Sequence, residues 1–352
     1  MNVRTGRKAA VDWISNHASK APGFQGAYIS GSTVGMPDEA LLPVGSDIDL
    51  IVVIEDAEPP LKLGKFVYED ALLEVTYLSL RQLASYEEVL TNYHLAGSFR
   101  MNTIISDPTG CLAELQRQVS SRFAEEFWVR RRCEDVMSKI RNGLQQNLPS
   151  SSPLHDRVNA WLFPTGVMTH LLLVAALRNP TVRKRYAASR EVLATYDSTG
   201  RVHGELLALL GCENITAERV RGHVMALAET FDFAASAART PFFFSSDITP
   251  ASRQIAIDGS LELIDSGLHR EAVFWIAATF ARCHNILTAD APLEVSQRCM
   301  PAFENLLADL GALTDEERRK RADEALRYLP KLQQIAELIM MAEIKKTRGP
   351  QR

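Results

Sequence analysis

The stretch Gly45-Ser46-Asp47-Ile48-Asp49-Leu50-Ile51-Val52-Val53 decides how this chain is read. The run Ile48 to Ile54 is rich in β-branched residues and is followed by Pro59 and Pro60, which predicts a strand that stops before them. Residues two apart on a strand share a face, so Asp47 and Asp49 project together while Ile48 and Leu50 turn to the other side. Two adjacent carboxylates repel, and one of them favours its protonated form unless a cation neutralises the pair. A hard, oxygen-seeking ion such as Mg²⁺ suits them, because it takes a few carboxylates and completes its shell with phosphate and water.

Working outward, Ala27 to Ser30 reads as a short strand that runs into Gly31-Ser32. Glycine lets the backbone approach a ligand closely. Exposed N–H groups and a serine hydroxyl at a helix start can hold an anion. Downstream, Leu72 to Ser79 reads as a strand that carries Glu74 within the apolar run Leu72-Leu73-Glu74-Val75. If that strand neighbours the Asp47 strand, Glu74 is a third carboxylate at the same place. Two ions about 3.5–4 Å apart would then hold the attacking and leaving oxygens of a phosphoryl transfer. Alone, a Gly-Ser pair is a turn and an Asp-x-Asp pair is a solvated surface. Their order carries the weight, with 14 residues between Ser32 and Asp47 and 24 between Asp49 and Glu74.

GAYISGSTVG (26–35), GSDIDLIVV (45–53) and ALLEVTYL (71–78), in that order, resemble the polymerase-β-like nucleotidyltransferase superfamily. Its pattern is strand, Gly-Ser, a variable turn, Asp-x-Asp on a strand, then a third acid on a later strand. The resemblance covers about residues 25 to 80, and its 14-residue spacer is long for the family. A lone core module followed by a helical bundle is similar to the branch that modifies small molecules, such as the aminoglycoside and lincosamide nucleotidyltransferases. The resemblance implies that Asp47 and Asp49 bind both metal ions, that Glu74 binds one, and that Gly31 and Ser32 hold the triphosphate. It also implies ATP or another NTP as co-substrate.

The rest of the chain is read as an α+β module followed by an all-α region. Residues 5–18 predict an amphipathic first helix, and strands are predicted at 65–68 and 103–106. A long helical segment spans 112–146, and the linker Pro149 to Pro153 ends it. This gives a core domain over 1–149 with a trailing helix and a helical domain over 150–352. Helical runs follow near 155–178, 182–197, 203–211, 216–237, 250–266, 269–287, 296–311 and 315–346. Pro164 and Pro330 are expected to kink or split the first and last of them.

Composition sets the limits. The 352 residues are 46% hydrophobic and 23% charged, which fits a globular chain of about two domains. A formal net charge of −4 provides no global positive field, so a nucleic-acid partner is not expected. No uninterrupted apolar run reaches about 18 residues, so a membrane partner is not expected either. Five scattered cysteines with no Cys-x-x-Cys pair suggest thiols in a reducing, cytoplasmic setting.

Arg130-Arg131-Arg132 and Lys139 offer cations for the outer phosphates, with Arg132 and Lys139 taken as the candidates. The plain alternative is a solvated helix face paired with neighbouring acids. Glu271, Trp275, Ala278 and Arg282 form one helical stripe, favoured as a packed tryptophan with structural ion-pair partners over an acceptor pocket. Ile257-Asp258-Gly259-Ser260 repeats the Gly-Ser pair with no acid pair after it, and reads as local helix.

The expectation is a Mg²⁺-dependent enzyme, with two ions, that moves AMP from ATP onto a hydroxyl of a small molecule and releases pyrophosphate. The alternatives are protein AMPylation, transfer to an RNA end, and a non-catalytic nucleotide sensor on the same fold. A homo-oligomer is left open.

Overall fold

A computed structural model describes residues 1–348 apart from Val44, Asn147 and Ser198. The chain divides into two compact units. The first comprises Met1–Asp135, Leu177–Pro180 and the chain from Met340; the second comprises Val136–Ala176 and Thr181–Ile339.

The first unit is built on a five-stranded mixed sheet. Its strands are β1 (Phe24–Ser30), β2 (Ile48–Ile54), β3 (Gly64–Tyr68), β4 (Ala71–Ser79) and β5 (Ile104–Ser106), in the order β3-β4-β2-β1-β5. β2 and β4 are parallel and every other pair is antiparallel. Helix α1 (Val3–Asn16) starts where the Asn2 side chain accepts the Thr5 N–H at 3.0 Å. It lays Ala9, Ala10, Trp13 and Ile14 on Ile48, Leu50, Val52, Leu73 and Val75. Burying each of the large side chains contributes about 1.5–3 kcal/mol. The opposite face carries Tyr28 and Val53, covered by α2 (Tyr86–Thr91), α3 (Ala96–Phe99) and α4 (Cys111–Arg122) through Val89, Leu90, Phe99, Leu112 and Leu115. Strand alternation sends Asp49 and Glu74 toward this second face, at the end of the sheet where β1 stops.

The helical segment expected over 112–146 is two helices, α4 and α5 (Glu126–Leu144). The break falls at Phe123, whose carbonyl accepts a hydrogen bond from Arg132 at 2.5 Å. A tertiary contact made later in the chain takes up that backbone group.

In the second unit the helices are α6 (Leu154–Ala175), α7 (Arg185–Tyr196), α8 (Arg201–Leu210), α9 (Ala217–Ala237), α10 (Arg253–Ala256), α11 (Asp258–Asp265), α12 (His269–Asp290) and α13 (Leu293–Asp309), followed by α14 (Asp315–Arg348), which runs from this unit into the first. α12 is buried almost without interruption from Glu271 to Leu287, as an apolar central helix must be. α6 is long and apolar enough to cross a membrane, and 72% of its apolar window is buried inside the protein. Pro164 and Pro330 lie inside continuous helices, so Pro330 does not split α14. Gly259 and Ser260 lie in α11, where the Ser260 hydroxyl donates to the Ala256 carbonyl. That pair is local helix, as expected.

Candidate active site

Register brings the three acids together. Asp49 pairs with Glu74 across the parallel β2–β4 ladder and with Ser30 across β1, while Asp47 lies just before β2. Ligand oxygens of Asp47, Asp49 and Glu74 all lie within 4.8 Å of one another. Among the described residues this is the one group of three His, Cys, Asp or Glu side chains that converges in this way. Burial and mutual repulsion show in the protonation equilibria. Burial, then the charges of Asp47 and Glu74, raise Asp49 well above the usual carboxylate range. Burial likewise raises Asp47, with Lys65 opposing it. A site that disfavours its own carboxylate charges calls for a cation.

Two lysines supply part of that charge. Lys62 Nζ donates to Glu74 Oε1 at 2.5 Å, and Lys65 Nζ donates to Glu74 Oε2 at 2.6 Å. Lys65 Nζ also lies 3.4 Å from Asp47 Oδ2. Strand β3 sets Lys65 directly opposite Glu74 through the hairpin turn at Glu69 and Asp70, both in the left-handed region at φ 47° and 62°. The two strands were legible in the sequence. Pairing them across that two-residue turn puts Lys65 opposite Glu74.

Gly31 (φ 69°) opens a three-residue 3₁₀ turn, Gly31–Thr33, against β2. A Cβ there would lie 1.7 Å from Asp49 Oδ2 on a backbone that side chains rarely adopt, so only glycine fits. Among the described residues no α-helix lies between Ser32 and β2. The turn is too short for an aligned helix dipole, and any anion would rest on individual N–H groups and the exposed Ser32 hydroxyl. Two residues with no sequence signal support the turn. Arg7 of α1 donates to the Thr33 carbonyl at 2.8 Å and to Asp38 Oδ1 at 2.7 Å. Asn179 donates its amide to the Gly31 carbonyl at 3.4 Å from 148 positions away. Its segment is held by Arg100, whose Nη1 donates to the Leu177 carbonyl at 2.6 Å.

The basic cluster is placed differently. Arg132 is buried, donates to the carbonyls of Leu90 at 3.0 Å and Phe123 at 2.5 Å, and lies 4.3 Å above the Phe123 ring. The phosphate contact expected of Arg132 does not fit this placement, because its guanidinium joins α5 to α2 and to the α4–α5 junction. Arg130 and Arg131 pair with Glu126 and Glu134 along the helix. Lys139 lies on an exposed position of α5, in the second unit. On α12, Glu271 is buried against His203 at 2.9 Å and Arg190 at 3.2 Å. Arg282 pairs with Asp247 at 2.7 Å and lies over Trp275. The stripe has the packed, ion-paired character favoured for it.

No protein-family model matches the chain, and no curated protein matches it. Among solved structures, a protein from Exiguobacterium sibiricum 255-15 described as nucleotidyltransferase-like is similar at 14% identity. The match covers 89% of this chain and 91% of that one, with a TM-score of 0.30. A likeness of that degree carries no weight for the chemistry of this chain.

Proposed function

We propose that the chain is a Mg²⁺-dependent nucleotidyltransferase that transfers AMP from ATP to a hydroxyl of a small molecule and releases pyrophosphate. The observation that carries this reading is the convergence of Asp47, Asp49 and Glu74 beside a glycine turn that only glycine can make. An all-oxygen donor set suits Mg²⁺, which would enter through Asp47 and Asp49. When bound, the ion neutralises charge on the phosphates and on the departing pyrophosphate.

The chain's own groups do the rest. The Gly31–Thr33 turn lets phosphate oxygens approach the backbone, and the Ser32 hydroxyl and N–H groups orient them. Arg7 and Asn179 fix the turn's carbonyls and so its shape. The acceptor oxygen forms a bond to the α-phosphorus in line with the bond to the β-phosphate bridging oxygen, which breaks. The hydroxyl proton is released to water as that bond forms. Positioning and charge neutralisation supply most of the acceleration. Five free cysteines support a reducing, cytoplasmic setting.

Thermal unfolding tests the binding half of this reading. ATP with Mg²⁺ should raise the melting temperature more than ATP with a chelator, because an ion held by Asp47 and Asp49 would offset the charge of the acids and of the phosphates. Equal shifts would remove the metal from the account.

A further inference from the structure

Both oxygens of the Glu74 carboxylate are already held by ammonium groups, at 2.5 Å by Lys62 and 2.6 Å by Lys65. Both are ammonium–carboxylate pairs, a charge-assisted kind of hydrogen bond. Lys65 is no wandering surface lysine. Its side chain is 7% exposed, its position is set by the β3–β4 register, and its ammonium also reaches Asp47. It therefore lies between two of the three acids that would share an ion. For Glu74 to ligate a cation, one of its oxygens would have to hold the ion and an ammonium together, which sets two positive charges at short range.

The charges lead to the same place. Three carboxylates and two divalent ions carry one net positive charge. Three carboxylates, two ammoniums and a single divalent ion carry the same. Before the nucleotide's own negative charges arrive, adding a second ion to this site would leave three net positive charges within a few ångströms, unfavourable at short range in a partly buried place.

We propose that Lys62 and Lys65 stand in for one divalent ion, so that the site takes a single Mg²⁺, held by Asp47 and Asp49 and shared with the nucleotide's phosphates. The proposal rests on the nucleotidyltransferase reading and sharpens it. Glu74 becomes the residue that positions the two ammoniums, and the ammoniums share the work of holding the negatively charged phosphates.

Counting ions tests this without reference to turnover. The full chain is dialysed to equilibrium against Mn²⁺ with α,β-methylene-ATP, and bound Mn²⁺ per chain is read by electron paramagnetic resonance. The wild type should bind one ion. Glu74→Gln should also bind one, more weakly, because the two ammoniums lose the charge that offsets them. The Lys62→Gln/Lys65→Gln double variant, checked for folding by circular dichroism, should bind two. Two ions on the wild type, or loss of the ion in Glu74→Gln, would overturn the proposal while leaving the nucleotidyltransferase reading standing. If neither ion nor nucleotide bound, both would fall. The wild-type count decides even if the double variant fails to fold.

Discussion

A Cβ on Gly31 would lie 1.7 Å from Oδ2 of Asp49, so the turn after β1 and the acid at the start of β2 are in direct contact. The turn proposed to hold phosphate and the acid proposed to hold the metal are one packed unit, tied by the Ser30–Asp49 pairing of the two strands.

Gly31→Ala should therefore do two kinds of damage. It adds strain of about 1–2 kcal/mol for a side chain at positive φ, and it displaces the Asp49 carboxylate. Gly110→Ala is the control, since Gly110 has φ 76° but open space around its Cβ position. Both variants should lose stability in urea titrations, and only Gly31→Ala should lose the thermal shift given by ATP and Mg²⁺.

The raised pKa of Asp49 predicts a pH dependence. Folding makes this carboxyl a better proton holder, so ionising it opposes folding. The stability difference is absent below the unfolded pKa of about 3.9 and grows as pH rises through the folded value. Without metal, Asp49→Asn should melt above the wild type at pH 7, by about 2–4 °C for each kcal/mol relieved. The gap should close toward pH 4, as read by calorimetry in chelator. Mg²⁺ with ATP should narrow it from the other side by stabilising the wild type alone.

Arg132 and Lys139 separate a packing cation from an exposed one. Arg132→Ala leaves the Leu90 and Phe123 carbonyls without their donor and should destabilise by about 2–5 kcal/mol. Lys139→Ala, at an exposed position, should cost no more than about 1 kcal/mol. Chemical denaturation with both far-UV and near-UV readouts distinguishes them.

Glu271→Gln tests whether the α12 stripe takes part in chemistry. Its carboxylate is engaged by His203 and Arg190, so the variant should lose stability and keep its transfer rate within a few fold. A folded variant with no turnover would bring Glu271 into the site.

Much of this was legible because the signals were local. The β-branched run of β2, the alternation that pairs Asp47 with Asp49, and the glycine before Ser32 each depend on a few neighbouring residues. Three features were not legible, and each depends on distant partners. The break between α4 and α5 follows from Arg132 reaching back to Phe123. The support of Gly31 comes from Asn179, far along the chain. After Ser32 the chain makes a single 3₁₀ turn, whose Thr33 carbonyl is taken up by Arg7 from the first helix. The lysines on Glu74 lie between these extremes, since the hairpin register that places them is written in strands that were themselves visible.

The central claim is transfer at the acid triad, and single-turnover labelling measures it most directly. The purified chain, ATP labelled at the α-phosphate, Mg²⁺ and a panel of aminoglycosides, lincosamides and cell-extract metabolites are mixed, and label and pyrophosphate are followed. The wild type should place label in a small-molecule fraction. Asp47→Asn and Asp49→Asn should each fall by on the order of 10²–10³ or more with unchanged circular dichroism. Label that appears only on protein or RNA, or Asp47→Asn and Asp49→Asn enzymes that transfer at the wild-type rate, would contradict the account.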